Sequence, residues 1–155
     1  MDSTTQNKMR AELIAPCGMN CALCVSYQAK ENDINRQGFH KSYCPGCRPR
    51  GKNCAFMKKR CALIGEGQVT FCFECASFPC ERLVRLDKRY RTNYHLSMVD
   101  NLRFIRDTGM EAFLAAQTEA WRCPSCGGLI TCHSGLCLHC QLETLKAKKT
   151  YRWDR

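Results

Sequence analysis

Cys123-Pro124-Ser125-Cys126-Gly127-Gly128, answered further on by Cys137-Leu138-His139-Cys140, is the stretch that decides how this chain is built. Two residues between paired cysteines let a tight backbone turn aim both sulfurs at one ion. Two such knuckles, separated by residues 127–136, match a zinc ribbon, in which facing turns clamp a single metal. Gly127 and Gly128 suit the turn leaving the first knuckle, which often requires positive φ. Four thiolates in a tetrahedron leave no position open to water, so the expected site is structural rather than catalytic. Cys132 and His133 fall between the knuckles and are spare on this reading. His139 lies inside the second knuckle, with its ring expected to face solvent.

The rest of the chain is equally rich in sulfur. There are 15 Cys in 155 residues, far above ordinary soluble domains. Aromatics make up only 9%, so a large core is not expected and metal should substitute for it. The N-terminal residues hold Asp2, Lys8, Arg10 and Glu12 with no apolar stretch, and no run approaches the length of a membrane span. A cytoplasmic setting with reduced thiols is therefore expected, with no membrane partner. Cys44/Cys47 and Cys72/Cys75 repeat the C-x-x-C spacing, and an odd cysteine count does not suit a disulfide-only scheme.

The cysteines fall in two blocks. Ten lie between Cys17 and Cys80, none between Glu81 and Trp121, and five between Cys123 and Cys140. The metal-free middle reads as helix. Leu83, Leu86, Tyr90 and Tyr94 step by three and four, as do Met98, Leu102 and Ile105. Gly109 is a plausible helix stop, and Met110, Phe113, Leu114, Gln117 and Trp121 continue with a third short helix. The expected fold is a small metal-stapled α+β chain. Its parts are a flexible tail (1–13), an irregular cysteine-rich zinc module (14–80), a short helical middle (81–121), a C-terminal zinc ribbon (122–143) and a basic tail (144–155).

Ligand pairing in the N-terminal block is open. Cys44, Cys47, Cys72 and Cys75 form a natural pair of knuckles. Cys17, Cys21 and Cys24 then need a fourth ligand, for which Cys80 is chosen. Cys54 and Cys61 complete a third site, replace one of these ligands, or stay as thiols; His40 is a weaker candidate. The C-x₃-C-x₂-C spacing of Cys17, Cys21 and Cys24 is also that of radical S-adenosylmethionine enzymes. Those need a large parallel β/α barrel, and no strand–helix alternation follows here. A simple [4Fe–4S] cluster on Cys17, Cys21 and Cys24 remains an alternative to zinc. With zinc throughout, about three ions per chain are expected from fourfold coordination.

The segment Ala15-Pro16-Cys17-Gly18-Met19-Asn20-Cys21-Ala22-Leu23-Cys24, then Cys44-Pro45-Gly46-Cys47, then Cys72 through Cys75 to Phe78-Pro79-Cys80-Glu81-Arg82-Leu83, resembles the cysteine-rich family called domain of unknown function 3795. The resemblance covers about Ile14 to Leu83. It implies metal binding through these cysteines and supports counting Cys54 and Cys61 in the metal block. It implies no established activity and supplies no catalytic residue.

The formal net charge is +10. Each Zn²⁺ on four thiolates carries −2, so three sites would bring +10 down to about +4, an ordinary surface charge. The first functional expectation is a zinc-stabilised binding or adaptor module, more a non-enzyme than an enzyme, with protein or nucleic acid as the open partner classes. A nucleic-acid-binding zinc protein is the alternative. Its candidate contacts are Arg48, Arg50, Lys52, Lys58, Lys59 and Arg60, the basic face from Arg82 to Arg91, and Lys146, Lys148, Lys149 and Arg152 with Tyr151 and Trp153. An iron–sulfur or thiol redox protein is the third reading, with Cys54, Cys61 and Cys132 as the least committed thiols. No Ser/His/Asp set, phosphate-binding glycine loop or HExxH occurs in the sequence.

Overall fold

A computed structural model describes residues 9–38, 42–46, 61 and 69–147. His40, Cys47, Cys54 and the basic residues 48–60 and 148–155 lie outside the described residues. Asn20 accepts the Ala22 N–H at 3.1 Å and so caps the 3-10 turn Cys21–Leu23. Helix α1 (Val25–Glu31) starts directly after Cys24. Helix α2 (Glu81–Tyr94) carries Glu81 in its first turn, where negative charge suits the helix dipole. It stops at His95, which takes the left-handed conformation (φ 55°). Helix α3 (Met98–Thr108) is capped by Ser97, whose hydroxyl accepts the Asp100 N–H at 3.1 Å.

Gly109 ends α3 with φ 103°, its N–H bonded to Ile105 O, and α4 (Met110–Ala120) begins at once. The three helices expected of the middle are thus present. Helix α3 packs against both α2 and α4. Asp87 pins α2 to α3: its buried carboxylate accepts from the Ser97 hydroxyl (2.7 Å) and the Val99 N–H (3.0 Å) and pairs with Arg91 (2.8 Å). A last helix, α5 (Leu142–Ala147), lays Leu142 and Leu145 against Val25, Ala29 and Ile34.

Two expectations are corrected. The α+β class does not hold for the described residues: regular structure there is helical, and β pairing is limited to the isolated bridges Ile14–Asn20, Arg122–Leu129 and Ile130–Cys137. The stretches between cysteines are too short, and bend too soon, to extend a ladder beyond one bridge. Nor is the interior lean. Leu13, Met19, Leu23, Tyr27, Leu83, Met98, Leu102, Trp121 and Leu129 share one buried cluster with Cys17, Cys21, Cys72 and Cys132. Buried thiols act as small apolar groups, so the cysteines themselves fill the core that aromatic content underestimates. The cluster draws on the N-terminal block, the helical middle and the ribbon together. Met9 and Leu13, in the stretch read as a tail, are buried within it.

Candidate metal centres

The two C-terminal knuckles are closed by their own backbone. Gly127 N–H bonds to Cys123 O (2.9 Å) with Gly127 at φ 77°, and Gln141 N–H bonds to Cys137 O (2.8 Å). The Gln141 side chain returns to accept the Cys137 N–H at 2.9 Å. The bridges Arg122–Leu129 and Ile130–Cys137 bring the knuckles face to face. The sulfurs of Cys123 and Cys140 lie 3.4 Å apart and those of Cys126 and Cys137 3.5 Å apart. All four sulfur atoms fall within 4.8 Å of one another. A Zn–S bond of about 2.3 Å implies tetrahedral S–S edges of about 3.8 Å, so these four cysteines can hold one metal ion with little movement.

Electrostatics among the C-terminal cysteines favour a thiolate at Cys123. Burial raises the Cys123 pKa, but the backbone N–H groups of Cys126 and Ser125 and the Cys140 thiol outweigh it, bringing Cys123 down to about 7. Cys137 is pushed up by burial, against the Cys140 and His139 backbone N–H groups. Cys140 is also pushed up, by desolvation first and then by the crowding sulfurs of Cys123, Cys137 and Cys126. A cation placed among them would displace these protons.

A second group surrounds a cavity of about 20 Å³, lined by Cys61, Cys72, Cys75 and Cys80 with Val69, Phe78 and Leu83. Space of this size suits a single small occupant. Cys75 Sγ accepts the Ser77 N–H at 3.4 Å, as Cys126 Sγ accepts the Gly128 N–H at 3.4 Å. The same turn therefore shapes both knuckles. Glu74 fixes the approach to Cys72 by accepting the N–H groups of Thr70 (3.2 Å) and Phe71 (2.9 Å). This grouping differs from the pairing chosen from spacing. Cys80 lines this cavity beside Cys61, Cys72 and Cys75, whereas spacing assigned it to Cys17, Cys21 and Cys24. Cys44 lies within electrostatic reach of Cys24 and is tied to the start of α1 through Cys44 N–H to Ser26 O (3.2 Å).

Cys17, Cys21 and Cys24 lie where the chain turns into α1, the first two buried. The residues taken as spare in the ribbon come to the same place. Cys132 is 0% exposed, and its N–H bonds to Leu23 O at 2.9 Å. His133 Nδ1 accepts the Val25 N–H at 3.2 Å. Spacing along the sequence holds no signal for this contact. No disulfide joins any described cysteine.

The basic face of α2 is exposed at Arg82, Arg85, Lys88, Arg89 and Arg91. Arg85 pairs with Glu81, and Arg91 with Asp87. Among the described residues, no helix is long and apolar enough to cross a membrane. Residues 13–85 match the family described as "Protein of unknown function (DUF3795)". No curated protein and no solved structure matches the chain.

Proposed function

We propose that the protein, whose residues 13–85 match the DUF3795 family and carry ten of its fifteen cysteines, is a zinc-stapled binding module rather than a catalyst. The observation that carries the reading is the ribbon: four sulfurs from two knuckles within 4.8 Å of one another. Such a closed thiolate set offers structure and leaves no coordination position for a substrate. The cavity edged by Cys61, Cys72, Cys75 and Cys80 offers room for a second ion, and the spacing of Cys17, Cys21 and Cys24 suggests a third, while among the described residues only Cys123, Cys126, Cys137 and Cys140 bring three or more ligand atoms within 4.8 Å. Binding to a partner would then fall to the exposed surfaces that these centres hold in place.

The test is elemental analysis with an optical spectrum on anaerobically purified protein. About three zinc per chain is the expected result, from fourfold coordination of twelve thiolates. A brown preparation absorbing near ~400 nm would move Cys17, Cys21 and Cys24 to a [4Fe–4S] cluster. A folded, cooperatively melting chain free of metal would overturn the reading altogether.

A further inference from the structure

We propose that the outward face of α2 is a docking surface for the phosphodiester backbone of duplex nucleic acid. Charge is segregated among the helices. In α2 five cations, Arg82, Arg85, Lys88, Arg89 and Arg91, stand against two carboxylates, Glu81 and Asp87, which leaves +3 on 14 residues. In α3 two arginines balance two aspartates, and α4 carries Glu111 and Glu119 with no cation. A surface built only for solubility intersperses its signs; this one gathers its positive surplus on a single helix.

The two carboxylates do not cancel the row. Asp87 is turned inward, where it accepts from Ser97 and Val99 and holds Arg91 at 2.8 Å. Glu81 pairs with Arg85, but their side chains are 78% and 71% exposed, and water screens such a pair. Arg82, Lys88 and Arg89 are exposed, and among the described residues no carboxylate lies within ion-pair distance of them. Leu83, Leu86, Tyr90 and Tyr94 turn the opposite side of the helix to the core. Arg82, Arg85 and Arg89 follow one another by three and four residues, and Lys88 lies three beyond Arg85, so they are neighbours on the outer face. Like charges at these spacings repel, and an anion laid across them relieves the repulsion.

The chemistry of the face selects the partner. Four of its five cations are arginine, whose planar fork suits phosphate oxygens. Val84, 43% exposed, is the one large hydrophobic residue of α2 that stands open. Protein interfaces and bilayers take aromatic or aliphatic anchors, which α2 does not present outward. Stacking on unpaired bases needs exposed rings. Tyr90 and Tyr94 instead pack partly buried, edge to face with each other, and Tyr94 lies 4.8 Å from the His133 ring. A duplex offers phosphates and keeps its bases paired, so it matches a face rich in guanidinium and poor in rings. Contacts to its backbone carry no sequence information. The proposal deepens the binding-module reading by naming the class of partner.

The experiment titrates the full chain, purified without oxygen, into a fluorescent DNA duplex of arbitrary sequence across a salt series, with single-stranded DNA and phosphatidylserine vesicles beside it. Metal content is measured on every sample, so the metal reading and the docking surface can fail separately. With about three phosphates engaged, log K should fall against log salt with a slope near about −3, a loss of about 40-fold between ~50 and ~200 mM salt. The triple variant Arg82→Gln, Lys88→Gln, Arg89→Gln should lose most of the binding and the slope while keeping its metal and its helical circular dichroism. A control with the same charge removed elsewhere, Lys30→Gln, Arg36→Gln, Arg122→Gln, also at exposed positions, should keep the wild-type slope. Should the α2 triple variant fail to fold, Arg89→Gln alone should lower the slope by about one. Equal losses in the two triple variants would reduce the effect to net charge and overturn the proposal. So would an α2 variant that binds as wild type does, or a wild type that ignores the duplex or prefers vesicles or single strands to it.

Discussion

Gly18 sits so close to Met98 that a Cβ added to the glycine would stand 2.6 Å from the Met98 carbonyl oxygen and 2.9 Å from Leu102 Cγ. The glycine also takes φ +92°, a conformation that L side chains rarely adopt. Asn101 seals the approach by donating from its side chain to Gly18 O at 2.9 Å. The glycine of the first cysteine motif is therefore a docking point for α3. Gly18→Ala should cost about 2–3 kcal/mol through overpacking and backbone strain. Denaturant titration of the metal-loaded protein checks this; a loss below ~0.5 kcal/mol would show that α3 can step away freely.

Asp87 gives a second point of attack on the same helix pair. Its carboxylate serves Ser97, Val99 and Arg91 from a buried position, whereas Arg91 is more than half exposed. Little of the effect should come from the ion pair, since solvent screens it. Asp87→Ala leaves the Val99 N–H and Ser97 hydroxyl without their acceptor and should cost about 2–3 kcal/mol. Asp87→Asn, which keeps one acceptor oxygen, should cost less. Thermal melts of the two variants should rank in that order.

Cys126, like Cys140, is an exposed member of the C-terminal cysteine cluster, so replacing it should disturb the core little. Cys126→Ser should lower the metal content by one equivalent while leaving the helical circular dichroism of α2, α3 and α4 largely intact. Metal analysis beside a far-ultraviolet spectrum reads both. Loss of all metal at once would mean that the centres load only together.

Metal loading would also set the charge. Converting twelve neutral thiols into three zinc–tetrathiolate units changes the net charge by about −6, from +10 toward about +4. Native electrophoresis of the loaded chain against chelated, thiol-protected chain should show the loaded form as the less basic. Identical mobility of two folded forms would contradict thiolate coordination.

Much of this was legible along the sequence where the determinants are local. The stripe from Leu83 to Tyr94, the stop at Gly109 and the knuckles at Cys123 and Cys137 each sit within a few residues of what they shape. The partners of Cys80 and the place of Cys132 were not, because contacts such as Thr131 to Leu23 span 108 residues. C-x-x-C spacing dictates a turn and says nothing about which turn it will face. Aromatic content misjudged the interior for a related reason: it ignores aliphatic residues and cysteines converging from three parts of the chain.

Similarity ends at residue 85, inside α2, yet Gly18 rests on α3 and the Leu23 carbonyl is answered from residues 131 and 132. The recognisable segment and the unit of folding are thus different objects. A peptide cut at residue 85 would strip Leu23 and Leu83 of Met98, Leu102, Trp121 and Leu129, which share their buried cluster, and should be isolated as an aggregate rather than as a small stable protein.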